Sequence, residues 1–159
     1  MSKKPNPQIN YWIMKSEPEE FSIVDLKKKD ISIWDGIRNY QVRNMIRDMM
    51  RVGDRAFFYH SSCAEIGIVG EMKIIKTAYS DPTQFKASSK YYDAGSKKTD
   101  PRWLSFDVKF IEKFPHIITL TELKTDPKFS DLPFVKKGNR LSIIPITKIQ
   151  FELIHSLVR

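Results

Sequence analysis

The segment Trp34-Asp35-Gly36-Ile37-Arg38-Asn39-Tyr40-Gln41-Val42-Arg43-Asn44 gathers, in one short stretch, side chains that can hold a flat, polar ligand. It follows an apolar run, Ile31 to Trp34, that reads as a strand, and it leads into a helix starting near Asn39. A large aromatic followed by Asp-Gly puts a flat surface and a turn at the strand's end, where the glycine permits tight backbone geometry. Arg38 and Asn39 arrive where a helix start leaves N–H groups free. A planar face beside donors and acceptors suits a nucleobase. Alternation along the run sets Ile31 and Ile33 on one face and Ser32 and Trp34 on the other, which predicts Trp34 at a rim or mouth and not in the main core.

Other segments offer partners. Tyr11-Trp12-Ile13-Met14-Lys15-Ser16-Glu17-Pro18 reads as a strand ending in a polar turn. There Ser16 can donate to and accept from a base edge, and Lys15 can meet a phosphate or a carbonyl. Asn39 carries both an amide donor and an acceptor, although the same side chain suits the N-cap of the helix it starts. Trp103, at the mouth of a long strand next to the tyrosine loop, reads either as a second wall or as core packing. Trp12 reads as packing. A nucleophilic triad of His60, Cys63 and Asp35 is disfavoured, because Cys63 follows His60 by three residues and no glycine-rich elbow frames it. His60, His116 and His155 are scattered, which argues against a metal site.

The elements that must position these residues are mostly strands. Strand-like runs lie at Tyr11–Met14, Ile31–Trp34, Arg55–His60, Ile66–Thr77, Trp103–Phe114 and Arg140–Ile144. Helices are predicted from Ser22, with Asp25 completing a capping box, over Asn39–Met50, near Leu120–Lys124 and over Thr147–Leu157. Val42, Met45, Ile46 and Met49 form the expected buried stripe of the second helix, and Arg43, Arg47 and Arg51 a basic one. Gly67 and Gly70 sit inside a strand-like run and read as relief of crowding in a bend. Asp81 to Pro101 is a long irregular loop, and loops of that length are usually functional or disordered; Tyr91 and Tyr92 in its middle argue for function.

The chain has 159 residues, enough for one domain with its own core, and residues 1–9 read as a flexible tail ahead of a single domain over 10–159. A formal charge of +8 and a pI of about 9.5 suit a polyanionic partner. The single cysteine excludes an internal disulfide and fits a reducing compartment. No run of about 18 apolar residues predicts a membrane span.

Together, Tyr11 to Pro18, Trp34 to Asn44, His60-Ser61-Ser62-Cys63 and Lys90-Tyr91-Tyr92-Asp93 closely resemble the EVE-domain family of the PUA-like superfamily, with a match running from about Tyr11 to Phe151. Arg140-Leu141-Ser142 is similar to a further family segment. The resemblance implies an α+β fold: a PUA-like mixed, mainly antiparallel β-barrel with flanking α-helices, built to capture a base. The expected base-binding pocket comprises Lys15, Ser16, Trp34, Asp35, Asn39, His60, Ser61, Tyr92, Trp103 and Ser142, and the expected phosphate contacts are Arg38, Arg43, Arg47, Lys90 and Arg140. The function expected is non-enzymatic reading of a modified or flipped base, a modified cytosine or similar, in DNA or RNA. A shape-reading RNA-binding module and an enzyme acting on a nucleotide or small polar metabolite are the alternatives. No catalytic residue, metal or cofactor is expected. The chain is expected to act as a monomer away from membranes, in the cytoplasm, on the nucleoid of a bacterium or in the nucleus of a eukaryote.

Overall fold

The computed structural model describes residues 8–158, so residues 1–7 of the expected tail lie outside it. Its strands are β1 (Tyr11–Ser16), β2 (Ile31–Trp34), β3 (Arg55–His60), β4 (Gly67–Ser80), β5 (Leu104–Thr119) and β6 (Ile143–Ile146). The α-helices are α1 (Ile23–Lys29), α2 (Tyr40–Asp48), α3 (Leu120–Thr125) and α4 (Lys148–His155). The strands form one six-stranded mixed sheet in the order β2-β5-β4-β3-β1-β6. Only the β1–β3 pair is parallel. No described helix is long and apolar enough to cross a membrane.

The expected closed barrel is therefore corrected: the ladder has two ends, β2 and β6, and no strand pairing joins them. The sheet nevertheless curls. Trp34 on β2 reaches the Phe58 ring on β3, with centroids 5.4 Å apart, although β5 and β4 stand between those strands in the sheet. The bending is built into β4 and β5, whose pairing shifts register at several points. A Cβ on Gly67 would lie 2.2 Å from the Ile118 carbonyl oxygen, and one on Gly70 would lie 2.4 Å from that of Glu112. Their lack of a side chain is what lets the two long strands approach at the irregular turn of the ladder. Pro115 falls in this stretch of β5, between the pairs Gly70↔Lys113 and Ile68↔Ile118, where the ladder asks no N–H of it.

Strand alternation divides the core into two layers. Trp12, Met14, Ala56, Phe58, Met72, Ile74, Phe106 and Val108 face a cluster completed by α1, α2 and Trp34. Ile13, Phe57, Tyr59, Ile68, Ile144 and Ile146 face a second cluster under α3, α4 and the loops carrying Phe129 and Phe134. Trp12 is wholly buried, and its indole N–H donates to Asp54 Oδ2 at 2.9 Å. The capping box of α1 forms as predicted, Ser22 and Asp25 each accepting from the other's backbone N–H. In α2 the buried stripe is Val42 and Ile46, with Met50 just beyond, while Met49 is exposed, because the helix ends at Asp48 and the chain turns. The last strand starts at Ile143, later than predicted, so Arg140 and Ser142 stand in the loop before it.

Gly67→Ala is expected to lower unfolding stability by roughly 1–3 kcal/mol, the usual cost of overpacking, because the clash is with backbone and cannot be relieved by a rotamer change. Chemical denaturation followed by circular dichroism checks this, and an unchanged midpoint would contradict it.

Candidate base-binding site

A cavity of about 800 Å³ lies between β2 with its following turn and the chain at the ends of β1 and β3 and ahead of β6. One side is formed by Ser32 to Ile37, the other by Lys15, Ser16, Glu17, Ser61, Ser62, Arg140 and Ser142. Phe21, Glu20, Lys29, Lys90 and Tyr91 complete it. A volume of this order suits a small planar ligand.

Local chemistry fixes the wall that carries Trp34. The turn after β2 needs Gly36 twice: its φ is +79°, and the Tyr91 ring packs so close that a Cβ would sit 2.7 Å from it. The Gly36 N–H donates to Asp81 Oδ2 at 2.8 Å. The same oxygen accepts from Arg38 Nη1 at 3.0 Å, while Thr83 donates its N–H and hydroxyl to Oδ1. Arg38 then holds the far loop, donating from Nη2 and Nε to the Tyr91 carbonyl at 2.6 and 3.1 Å. Burial raises the Asp81 carboxyl, but the donors from Thr83, Gly36 and Arg38 outweigh it and hold the group below the ordinary carboxylate value. Asp35, one turn position away and facing the cavity, is pushed up by burial and then by the Asp81 charge.

Gln84, fully buried, pins the rest of the loop. Its Nε2 donates to the carbonyls of Asp81 and Trp103, and its Oε1 accepts from the Ser96 hydroxyl and the Trp103 N–H. The predicted long loop is thus an ordered wall.

Trp34 lines the cavity but is only 8 % exposed. Its ring lies against Phe106 at 6.2 Å and 12°, and edge-on to Phe21 and Phe58. The face shared by Ser32 and Trp34 is the core face and Ile31 is the exposed one, opposite to the rim placement read from alternation. The reason is the curl of the sheet, which turns the inner face of β2 onto β3.

Of the expected pocket residues, Lys15, Ser16, Trp34, Asp35, Ser61 and Ser142 line one cavity, as do Lys90 and Arg140 among the expected phosphate contacts. Burial lowers the Lys15 ammonium, which lies 5.6 Å from the Tyr59 ring centroid. The Ser16 hydroxyl donates to the Phe21 carbonyl at 2.7 Å and keeps its acceptor capacity for a ligand.

The remaining expected residues are held elsewhere. Asn39 does not line the cavity, since its Oδ1 accepts from the Val42 N–H as the N-cap of α2. His60 stands behind the wall, its Nε2 accepting the first helical N–H of α1, from Ile23, at 3.2 Å. Trp103 is buried, donating its indole N–H to Asp93 and packing on Tyr40. Tyr91 lines the cavity in place of Tyr92, which is exposed and turned away from it. Arg38 is a structural cation, Arg43 donates to Asn44 Oδ1 and the Arg102 carbonyl, and Arg47 pairs with Asp48 on the outer face of α2. The cations at the cavity are instead Lys15, Lys29, Lys90 and Arg140, with Lys90 bonded to Glu20 across the mouth. Sequence reasoning missed Phe21, Lys29, Ser32 and Tyr91. Of these, Tyr91 is marked in the sequence as one of a tyrosine pair in the Lys90-Tyr91-Tyr92-Asp93 motif, although only Tyr92 belongs to the expected pocket. His60 and Cys63 do not assemble with Asp35, since the Cys63 thiol donates to the Glu65 carbonyl and neither residue lines the cavity.

This fold has known counterparts. Residues 10–157 match the EVE domain. The chain is 46% identical over 168 residues to mouse thymocyte nuclear protein 1, covering 93% of this chain and 73% of that protein. A Pseudomonas syringae crystal structure superposes with a TM-score of 0.89 at 48% identity, covering 92% of this chain and 98% of the other. The human THYN1 protein, solved in complex with 5-methylcytosine-containing DNA, superposes with a TM-score of 0.86 at 42% identity, covering 93% and 96% of the two chains. The chain belongs to the EVE-domain family, within the PUA-like folds.

Asp81→Asn weakens its hold on the partly buried Arg38 guanidinium, and breaking such a pair costs on the order of 3 kcal/mol. The variant is expected to melt lower and to show faster proteolysis between residues 86 and 101, and an unchanged melting temperature would remove Asp81 from its central place. A second expectation concerns pH. Burial lowers the folded-state value of His60 below the ordinary 6.5, so its contribution to stability is complete above 6.5 and is lost as pH falls from there through the folded value. Melting temperature measured from pH 8 to 5 should fall more in the wild type than in His60→Gln, whose amide oxygen can still accept from Ile23.

Proposed function

We propose that this chain is a non-enzymatic reader of a modified cytosine in DNA, holding one extruded base in the cavity between β2 and β1. The observation that carries the reading is the cavity itself: an aromatic wall of Trp34 and Phe21, an array of hydroxyls from Ser16, Ser32, Ser61 and Ser142, and a cationic rim, in a chain 42% identical to a protein solved with 5-methylcytosine-containing DNA. Extruding a base costs a few kcal/mol. Stacking returns roughly 1–3 kcal/mol, so edge hydrogen bonds and phosphate contacts must supply the rest. In this reading Lys15, Ser16, Asp35, Ser61 and Ser142 read the base, and Lys29, Lys90 and Arg140 meet phosphates. Trp34 acts from a mostly buried position, offering part of its ring while the rest holds the core. Asn39, His60, Tyr92, Trp103, Arg38, Arg43 and Arg47 act through the framework or lie off the cavity. Binding in place of turnover is supported by the engagement of His60 and Cys63 elsewhere. The EVE match over residues 10–157 supports treating residues 10–159 as one binding unit.

The test is fluorescence polarisation on duplexes differing by one 5-methyl group on cytosine. The methylated duplex is expected to bind more tightly, with log affinity falling against log salt with a slope of about −2 to −3 if two or three rim cations engage phosphates. Equal affinity for both duplexes, or a flat salt response, would overturn the reading. Trp34→Ala is expected to lose binding and also to cost roughly 3–5 kcal/mol of stability. Trp34→Phe separates the two effects, because it retains apolar fill while shrinking the face.

A further inference from the structure

β2 stands at the end of the sheet and has one neighbour, β5. Along an antiparallel pair, residues alternate between those whose N–H and C=O both face the partner and those whose groups both face away. Phe110 donates its N–H to the Asp30 carbonyl at 2.8 Å, which sets Asp30 facing β5. The register pairs Ser32 with Val108 and Trp34 with Phe106, so these residues repeat the Asp30 orientation. Ile31 and Ile33 then turn their backbone groups outward, and of the two only Ile33 lines the cavity. The Ser32 hydroxyl donates to the Ile33 carbonyl oxygen at 3.0 Å, which leaves that oxygen a second lone pair. Outside the β2–β5 ladder, no described residue's backbone accepts from the Ile33 N–H.

An unsatisfied strand edge normally invites another strand. Here no strand pairs with it, and beside it is a cavity lined by hydroxyls, an aromatic wall and cations. We infer that the main chain of Ile33 is the recognition edge of this site: a planar ligand with a donor and an acceptor side by side docks on it as a strand would. The Ile33 N–H donates to the ligand's ring nitrogen, and the Ile33 carbonyl accepts from its exocyclic amino group. The inference rests on the base-reading function proposed above and names the atoms of an aminopyrimidine that are read. For cytosine these are N3 and the 4-amino group, an edge that a 5-methyl group leaves untouched. Identity and modification are thereby read by different parts of the site: the edge by the backbone of β2, the methyl by the apolar surface beside it.

Amide hydrogen exchange on the isotope-labelled full chain tests this, with a duplex carrying one 5-methylcytosine as the probe and its binding followed independently by fluorescence polarisation. Saturation is expected to slow exchange of the Ile33 amide about tenfold or more while leaving the equally outward Ile31 amide unaffected, the change expected when a free amide gains a hydrogen-bond partner. A duplex carrying 3-methylcytosine, whose ring nitrogen is blocked, should give no such protection. Ile33→Pro removes the free donor without removing a ladder bond. It is expected to keep a near-normal melting temperature and to weaken binding about tenfold, as loss of one buried hydrogen bond would. Should Pro disturb the strand, the exchange measurement decides alone. A duplex that binds with the Ile33 amide unprotected overturns the main-chain reading and leaves the base-reading function standing. A duplex that does not bind at all overturns the function itself.

Discussion

The buried carboxylate of Asp81 is the interaction on which the site's geometry depends. It accepts from the Gly36 N–H, the Arg38 guanidinium and both donors of Thr83, and so joins the turn after β2 to the start of the loop that follows β4. Arg38 passes the constraint on to the Tyr91 carbonyl. Gly36 and Tyr91 are in turn in direct contact, which is sterically possible only for a glycine there. A turn, a loop and a cavity wall are thus one unit, held by charge-assisted hydrogen bonds shielded from water, where such bonds are strongest. The arrangement also sets the electrostatics next door, since the Asp81 charge helps keep the Asp35 carboxyl above its ordinary value.

The second constraint is the incomplete closure of the sheet. The curl needed to bring Trp34 against Phe58 comes from the register shifts and the close approach at Gly67 and Gly70. A sheet that closed fully would satisfy its own edges and leave no opening. This one stops short, and the two edges are handled differently. On β6 the register with β1 sets Pro145 opposite Trp12, at a position whose backbone faces away from β1, so the residue there has no N–H to leave unpaired. On β2 the outward-facing residues are Ile31 and Ile33, and of these Ile33 lines the cavity.

Several residues suited to ligand contact by type are committed to the framework, for one recurring reason. Polar side chains at element ends lie beside unsatisfied backbone groups, and those groups are nearer and always present. Asn39 caps α2, and His60 accepts an orphan N–H of α1. Arg38 finds a carboxylate and a carbonyl before it reaches the cavity. For Asn39 the competing cap was visible in the sequence. For His60 and Arg38 the partners lie 37 and 43 residues away, and nothing local signals them.

What the sequence determined by itself is what depends on neighbours along the chain: the capping box at Ser22, the strand runs, the burial of Trp12, the special role of glycine at positions 36, 67 and 70, and a family pattern dense enough to imply the fold. The family resemblance also implied one pocket for Lys15, Ser16, Trp34, Asp35, Ser61 and Ser142, and these residues do line one cavity. Tertiary structure alone decided the rest. Whether the inner face of β2 is core or rim depends on how far the sheet curls, a property of β4 and β5 and not of β2. Which of two adjacent tyrosines faces the cavity depends on Gly36, more than fifty residues away and in contact only after folding. That the ladder stays open, leaving the outer edge of β2 without a partner strand, follows from the summed twist and bend of six strands, and no local stretch of residues carries that sum.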